Sequence, residues 1–150
     1  MAVLRDRPYP SLNFLVDLGP GDPGAVEAGF EEVVLPEVSL DVLEYRNGNE
    51  KESNPRKITA FQRSTNLILK RGVIGSLDLY QWWNQIRNGD QNALRTVIVQ
   101  IMDEGHTAVV LTWKFYRARP VKLRFSNLEA RPSTVFAEYV EIAFERMEME

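Results

Sequence analysis

Apolar and polar positions alternate along most of this 150-residue chain with the period of strands rather than of helices. Leu12, Phe14, Val16 and Leu18 alternate with Ser11, Asn13 and Asp17, which predicts a half-buried strand. Apolar runs over 28–35 and 38–45 predict two more, divided by Pro36, and a fourth covers 66–73. The sharpest signal is a hairpin. Val97, Val99 and Ile101 alternate, Asp103-Glu104-Gly105-His106 makes a turn, and Val109, Leu111, Trp113 and Phe115 alternate again. A short strand over 121–125 precedes a loop, and a long one is expected over 134–147. That last strand carries Phe136, Val140, Ile142 and Phe144 on one face and Val135, Ala137, Tyr139 and Ala143 on the other, so burial on two sides is expected.

One stretch has a different period. Residues 77–88 predict an α-helix with both ends specified, after an aliphatic run, Leu67 to Lys70, and a turn between Gly72 and Gly75. Ser76 stands at the N-cap, Asp78 places an anion in the first turn, Arg87 a cation in the last, and Gly89 can close the helix left-handed. Leu79, Tyr80, Trp83 and Ile86 or Arg87 form the expected apolar stripe, which leaves Trp82 outside it, suited to a contact surface. Seven or eight short strands with one good helix predict a mainly β fold: a small antiparallel β-barrel or sandwich, closed by the helix, in one domain spanning 1–150.

Between these elements, residues 46–57 are polar, with an Asn47-Gly48 turn and almost nothing to bury. Two readings stand: a solvated hairpin tip, or an arm that becomes ordered against another molecule.

Composition narrows the function. Hydrophobic content of 44% and charged content of 26% are those of a soluble globular chain, and a net charge of −3 argues against a protein devoted to nucleic-acid backbones. Without cysteine there is no disulfide frame, thiolate metal site or cysteine nucleophile. The single histidine, His106, falls in a predicted turn with no partner for a catalytic triad, and no ligand spacing supports a metal. The carboxylates are scattered, and the glycines match neither a phosphate-binding loop nor a dinucleotide fingerprint. No enzyme, cofactor or metal is expected. Arg5, Asp6, Arg7, Pro8 and Pro10 stand where a signal peptide needs an apolar core, and no run approaches the roughly 20 apolar residues of a membrane span, so cytoplasmic synthesis without membrane insertion is expected.

The central stretch carries a resemblance. Tyr45-Arg-Asn-Gly-Asn49, Pro55-Arg56-Lys57-Ile58, and Leu67-x-Leu-Lys-Arg-Gly-Val-Ile-Gly75 leading into Asp78-Leu79-Tyr80-x-Trp82 resemble the tail tube proteins of contractile-tailed phages and the inner-tube proteins of phage-derived contractile injection systems. Asn13-Phe14-Leu15-Val16, Gly29-Phe30-x-Glu32-Val33, Thr112-Trp113-Lys114, Ala118-x-Pro120 and the glutamate-rich end continue it over most of the chain. The resemblance implies a fold similar to the type six secretion ring protein and a structural role. Six copies would form a ring, rings would stack into a hollow tube, and sheath contraction would drive the tube through a target envelope. It implies contact with other copies, and with sheath, baseplate or spike and tail-terminator proteins, around a lumen that can hold protein cargo or DNA. It also places inter-subunit contacts at Tyr45, Arg46, Glu50, Lys51, Glu52, Arg56 and Lys57 in the arm, at Lys70 and Arg71 in the turn, and at Trp82. Val34-Leu35-Pro36 and Ala130-Arg131-Pro132-Ser133 depart from the family pattern, which leaves either a main tube subunit or a first ring on the baseplate. The alternative from a different class is a monomeric β-barrel that binds a small ligand or peptide under its helix.

Overall fold

The computed structural model describes residues 1–19, 29–49, 51, 54–130 and 134–150. Seven of the described strands form two antiparallel sheets that share one long strand. The first sheet holds β1 (Phe14–Asp17), β6 (Arg95–Met102), β7 (Val109–Phe125) and β9 (Arg146–Met149). The second runs from β7 through β8 (Ala137–Ala143) and β5 (Leu67–Gly72) to the short β2 (Glu32–Val34). β3 (Val38–Tyr45) and β4 (Arg56–Ser64) pair only with each other, as a separate ribbon. The mainly β expectation holds, but β1 and β2 end the strand order without meeting, so the sheet does not close into a barrel.

β7 crosses both sheets because its backbone turns in the middle. Arg117 takes φ +53, and the register with β6 shifts between Arg95 and Val97, so the strand bends without ending. Its partner turns at the same corner. The strand expected over 134–147 is divided there into β8 and β9, and Glu145 binds Arg117 at 2.6 Å and Arg119 at 3.2 Å. The sequence predicts two strands where β7 is one, because Pro120 breaks the pattern. Pro120 lies beside a second register shift, where a missing N–H is tolerated.

The inward faces meet in a core of Val16, Leu67, Leu69, Val97, Val99, Phe115, Ala118, Val140 and Ile142, with Phe144 packed 4.9 Å from Phe115 between ring centres. α1 (Asp78–Arg87) closes one end of it. Its buried side chains are Leu79 and Trp82, with Ile86 packed behind them, and this corrects the expected stripe. Adjacent tryptophans make the phase ambiguous: Leu79–Trp83–Ile86 and Leu79–Trp82–Ile86 both satisfy helical spacing. The deciding factor is the indole N–H. Trp82 Nε1 donates to the Ala93 carbonyl at 2.7 Å, in the 3-10 turn after the helix, while Arg95 covers its ring at 4.7 Å. Trp83 stays half-buried beneath Arg87, and Tyr80 is exposed.

The helix ends are as expected at one end and shifted at the other. Gly89 at φ +83 closes a Schellman motif, with its N–H on the Ile86 carbonyl and that of Asp90 on Gln85. At the start, Leu77 occupies the cap position. Ser76 acts one step removed, its hydroxyl accepting weakly from the Asp78 N–H at 3.4 Å and donating to the Asp78 carboxylate at 3.0 Å. His106 is exposed in the β6–β7 turn as expected, but the left-handed position there, φ +54, falls on His106 itself and not on Gly105.

Because Trp82 is both fully enclosed and hydrogen-bonded, Trp82→Ala should cost about 3–5 kcal/mol in urea unfolding, whereas Trp83→Ala should cost well under half of that. Equal losses at the two positions would contradict a helix phase that buries Trp82 and leaves Trp83 half-buried.

Candidate assembly surface

The surface with most to explain is the β3–β4 ribbon. Its sequence is strand-like for good reason: Val38, Leu40, Val42, Leu43, Tyr45, Ile58 and Phe61 are β-branched, aliphatic or aromatic. In an ordinary sheet such residues meet a second layer. Among the described residues no other element packs extensively against them, and all seven are exposed, Phe61 at 80%. Both faces are involved. Val38, Leu40 and Val42 lie opposite Ser64, Gln62 and Thr59 on one face, and Leu43 and Tyr45 lie opposite Ile58 and Arg56 on the other. Phe61 sits at the bulge that shifts the register between Leu40 and Val42. The ribbon is rooted by the Glu37 N–H on the Thr65 hydroxyl at 2.7 Å and the Thr65 N–H on the Glu37 carbonyl at 2.9 Å. Arg63 and Asp41 pair at 2.7 Å along its flank.

The expected contact residues divide between this ribbon, the sheet and the core. Tyr45, Arg46, Lys51, Arg56 and Lys57 are exposed at or near the end of the ribbon, where the Tyr45 hydroxyl donates to the Asn47 side chain. Glu50 and Glu52 lie outside the described residues. Lys70 is on the outer face of β5, 3.7 Å from Glu31 and 5.5 Å from the Tyr139 ring, with Arg124 at 4.0 Å over the same ring. Glu31 above all holds the Lys70 ammonium above its usual pKa.

Arg71 and Trp82 are not surface residues, which corrects the expectation for both. Arg71 alternates inward with Leu67 and Leu69 on β5. Its guanidinium pairs with Glu138, its cross-strand partner on β8, and with Asp78 at the start of α1, where a second contact measures 3.2 Å. Burial by itself disfavours the Arg71 cation, but hydrogen bonds from its Nε and Nη groups to the two carboxylates outweigh it and hold the pKa above the usual value. Asp78 shows the mirror case: burial pushes it up, while Arg71 and the Ser76 hydroxyl bring it below the ordinary 3.8. The network ties helix, β5 and β8 together. It needs no partner molecule.

The second strand of the ribbon is what sequence reasoning missed. Strand β4 falls in a stretch where only polar loop was expected, up to residue 57, and nothing beyond it. The available signal was Val42-Leu43, two adjacent apolar residues that an alternating strand must point to opposite sides. Among the described residues no cluster of His, Cys, Asp and Glu could hold a metal, and no helix is long and apolar enough to cross a membrane.

Removal of Arg71 should expose how much the network holds. Arg71→Met leaves Glu138 buried and unpaired and should cost about 3–5 kcal/mol in urea unfolding, with part restored in Arg71→Met/Glu138→Gln. Asp78, with its folded pKa depressed, contributes fully above the ordinary value of 3.8, and the contribution is lost as pH falls through the folded value. Asp78→Asn should therefore flatten the decline in urea midpoint below about pH 4. An unchanged acid limb would rule out Asp78 as a source of it.

Known proteins place this geometry. A family model described as T4-like virus tail tube protein gp19 matches residues 10–148. No curated protein sequence matches the chain. Among solved structures, a chain of the anti-feeding prophage baseplate is similar over 97% of both chains at 22% identity, with a TM-score of 0.80. A chain of an extracellular contractile injection system, from the PVC sheath–tube complex in the extended state, is similar at 24% identity and TM-score 0.81, over 97% of this chain and 93% of that one. A type six secretion system protein shares the fold more loosely, at 11% identity and TM-score 0.57, over 93% of this chain and 83% of that one. With the family model spanning nearly all of the two sheets, the helix and the ribbon, the chain belongs to the T4-like virus tail tube protein family.

Proposed function

We propose that this chain is the structural subunit of the inner tube of a contractile phage tail or contractile injection particle. The single observation that carries the proposal beyond family membership is the ribbon: an apolar, two-faced, unpartnered element burdens a monomer and serves an assembly. Copies join into six-membered rings, rings stack into a hollow tube, and contraction of a surrounding sheath drives the tube through a target envelope. The whole of 1–150 acts as one domain in this role. β1 and β2, which end the strand order with outer edges that no described strand pairs, supply joints at which neighbouring sheets add to one another. Tyr45, Arg46, Lys51, Arg56 and Lys57 meet an adjacent subunit through the ribbon end, and Lys70 does so from the sheet. Sheath, baseplate or spike, and terminator proteins are its further partners, with protein or DNA cargo in the lumen. The chain serves either as the repeating tube subunit or as the first ring above a baseplate.

Nothing in the role calls for catalysis, and membership of a structural tube family points the same way. The alternative, a monomeric barrel with a helical lid, finds little support. The sheet does not close around a chamber, and the helix is fastened by Trp82 and Arg71 rather than hinged.

Purified protein should form rings or stacked tubes in negative stain and elute as a large species in size-exclusion chromatography. A single monomeric species over a wide concentration range would overturn the proposal. Deletion of Asn47 to Asn54 should leave the circular dichroism spectrum intact and abolish assembly; a deletion product that still forms tubes would remove the ribbon end from the interface.

A further inference from the structure

Among the described residues, the two sheets leave one end of the sandwich open. α1 closes the core at one end; where β1 and β2 fail to meet, the inward faces part around a cleft of about 300 Å³. Phe14, Val33, Leu35, Ile101 and Trp113 line it, and beneath them lies the core residue Val99. Its rim carries Glu31 and Glu32, both exposed. An apolar space of about 150 Å³ already holds a benzene ring, so this one has room for a phenyl side chain and part of its neighbour.

Resting on the tube-subunit reading, we infer that the cleft is the socket for the ribbon of a second copy of this chain, with Phe61 as the side chain that enters it. Three observations converge on that occupant. Phe61 is the most exposed aromatic ring among the described residues, so its own ribbon does not cover it and it does not fill its own cleft. The ribbon brings Arg56 and Lys57 on β4, the strand that carries Phe61, and they match the acidic rim, where Glu32 stands beside the Lys70-paired Glu31. Leu43 and Ile58, paired across the ribbon, supply further apolar area to close over the rim of the cleft. A central aromatic anchor in an apolar socket with a charged rim is the arrangement in which a few residues carry most of the binding energy. Trp113 acquires a role in the same contact. One part of its half-buried indole packs against the core, and the rest forms the wall of a socket.

Because the chain has no cysteine, a cross-link can test the pairing cleanly. Phe61→Cys/Leu35→Cys, assembled and then oxidised, should give a ladder of disulfide-linked multimers on a non-reducing denaturing gel, where each single variant gives dimers at most. Phe61→Ala should raise the protein concentration needed for assembly about 30-fold, and Glu32→Lys should weaken assembly in a way that Lys57→Glu partly restores. Rings or tubes that form without the ladder, or a disulfide that closes within one chain, would overturn the socket while leaving the tube reading intact. Wild-type protein that stays monomeric at every concentration would overturn the tube reading and the socket with it.

Discussion

The buried Arg71 guanidinium is the constraint on which the architecture depends. It occupies a position on β5 that alternation would give to an aliphatic residue, and it is 1% exposed. A cation in such a place must be fully paired, and its two carboxylates come from two other elements: Glu138 across the strand pair and Asp78 at the first turn of the helix. A one-residue slip between β5 and β8 would put Arg71 against an apolar neighbour and turn Glu138 to the other face. The pair therefore fixes register as much as it adds stability. Through Asp78 it also fixes where the helix begins, and that sets Trp82 into the end of the core that the helix closes.

Once the helix is seated, the rest of the sandwich follows from two turning points. β7 bends at Arg117 and the β8–β9 strand bends at Glu145, and the ion pairs between these residues hold the two corners together. Exposed pairs of this kind contribute little each. Their use is geometric, since they keep a single hairpin in two sheets. The outcome is a core closed at the helix end and open at the β1–β2 end, with a two-stranded ribbon leaving the second sheet just beyond β2.

Much of this is legible in the sequence, and the failures have physical causes. The apolar run over 38–45 predicts β3 at its observed bounds, and the helix, where period and turn chemistry agree, is predicted within a residue at each end. Trp82 and Arg71 are misplaced by the sequence for opposite reasons. The helix offers two phases that apolarity does not distinguish, and the hydrogen bond to Ala93 that decides between them lies outside the helix. Arg71 reads as a surface cation because its partners, Glu138 and Asp78, are brought to it by the fold. β4 goes unread because its polar flank resembles loop and its apolar residues have no visible partner. Glu50 and Glu52 lie outside the described residues, so the expectation for them stands only as a sequence reading.

What β3 and β4 lack is a covering layer. A strand pair normally draws its alternation from one buried face, whereas β3 and β4 carry apolar residues on both faces and bury neither. The cleft edged by β2 has the complementary defect: apolar residues that no other described element covers. One monomer cannot resolve both, because the ribbon is rooted by Glu37 and Thr65 next to the very strand that edges the cleft. Two copies can. In the proposed pairing, the ribbon of one chain and the socket of another make a heterologous contact, and repeating such a contact around an axis yields a closed ring if the rotation closes. On that reading a neighbouring copy completes the fold of each subunit and buries its remaining apolar surface.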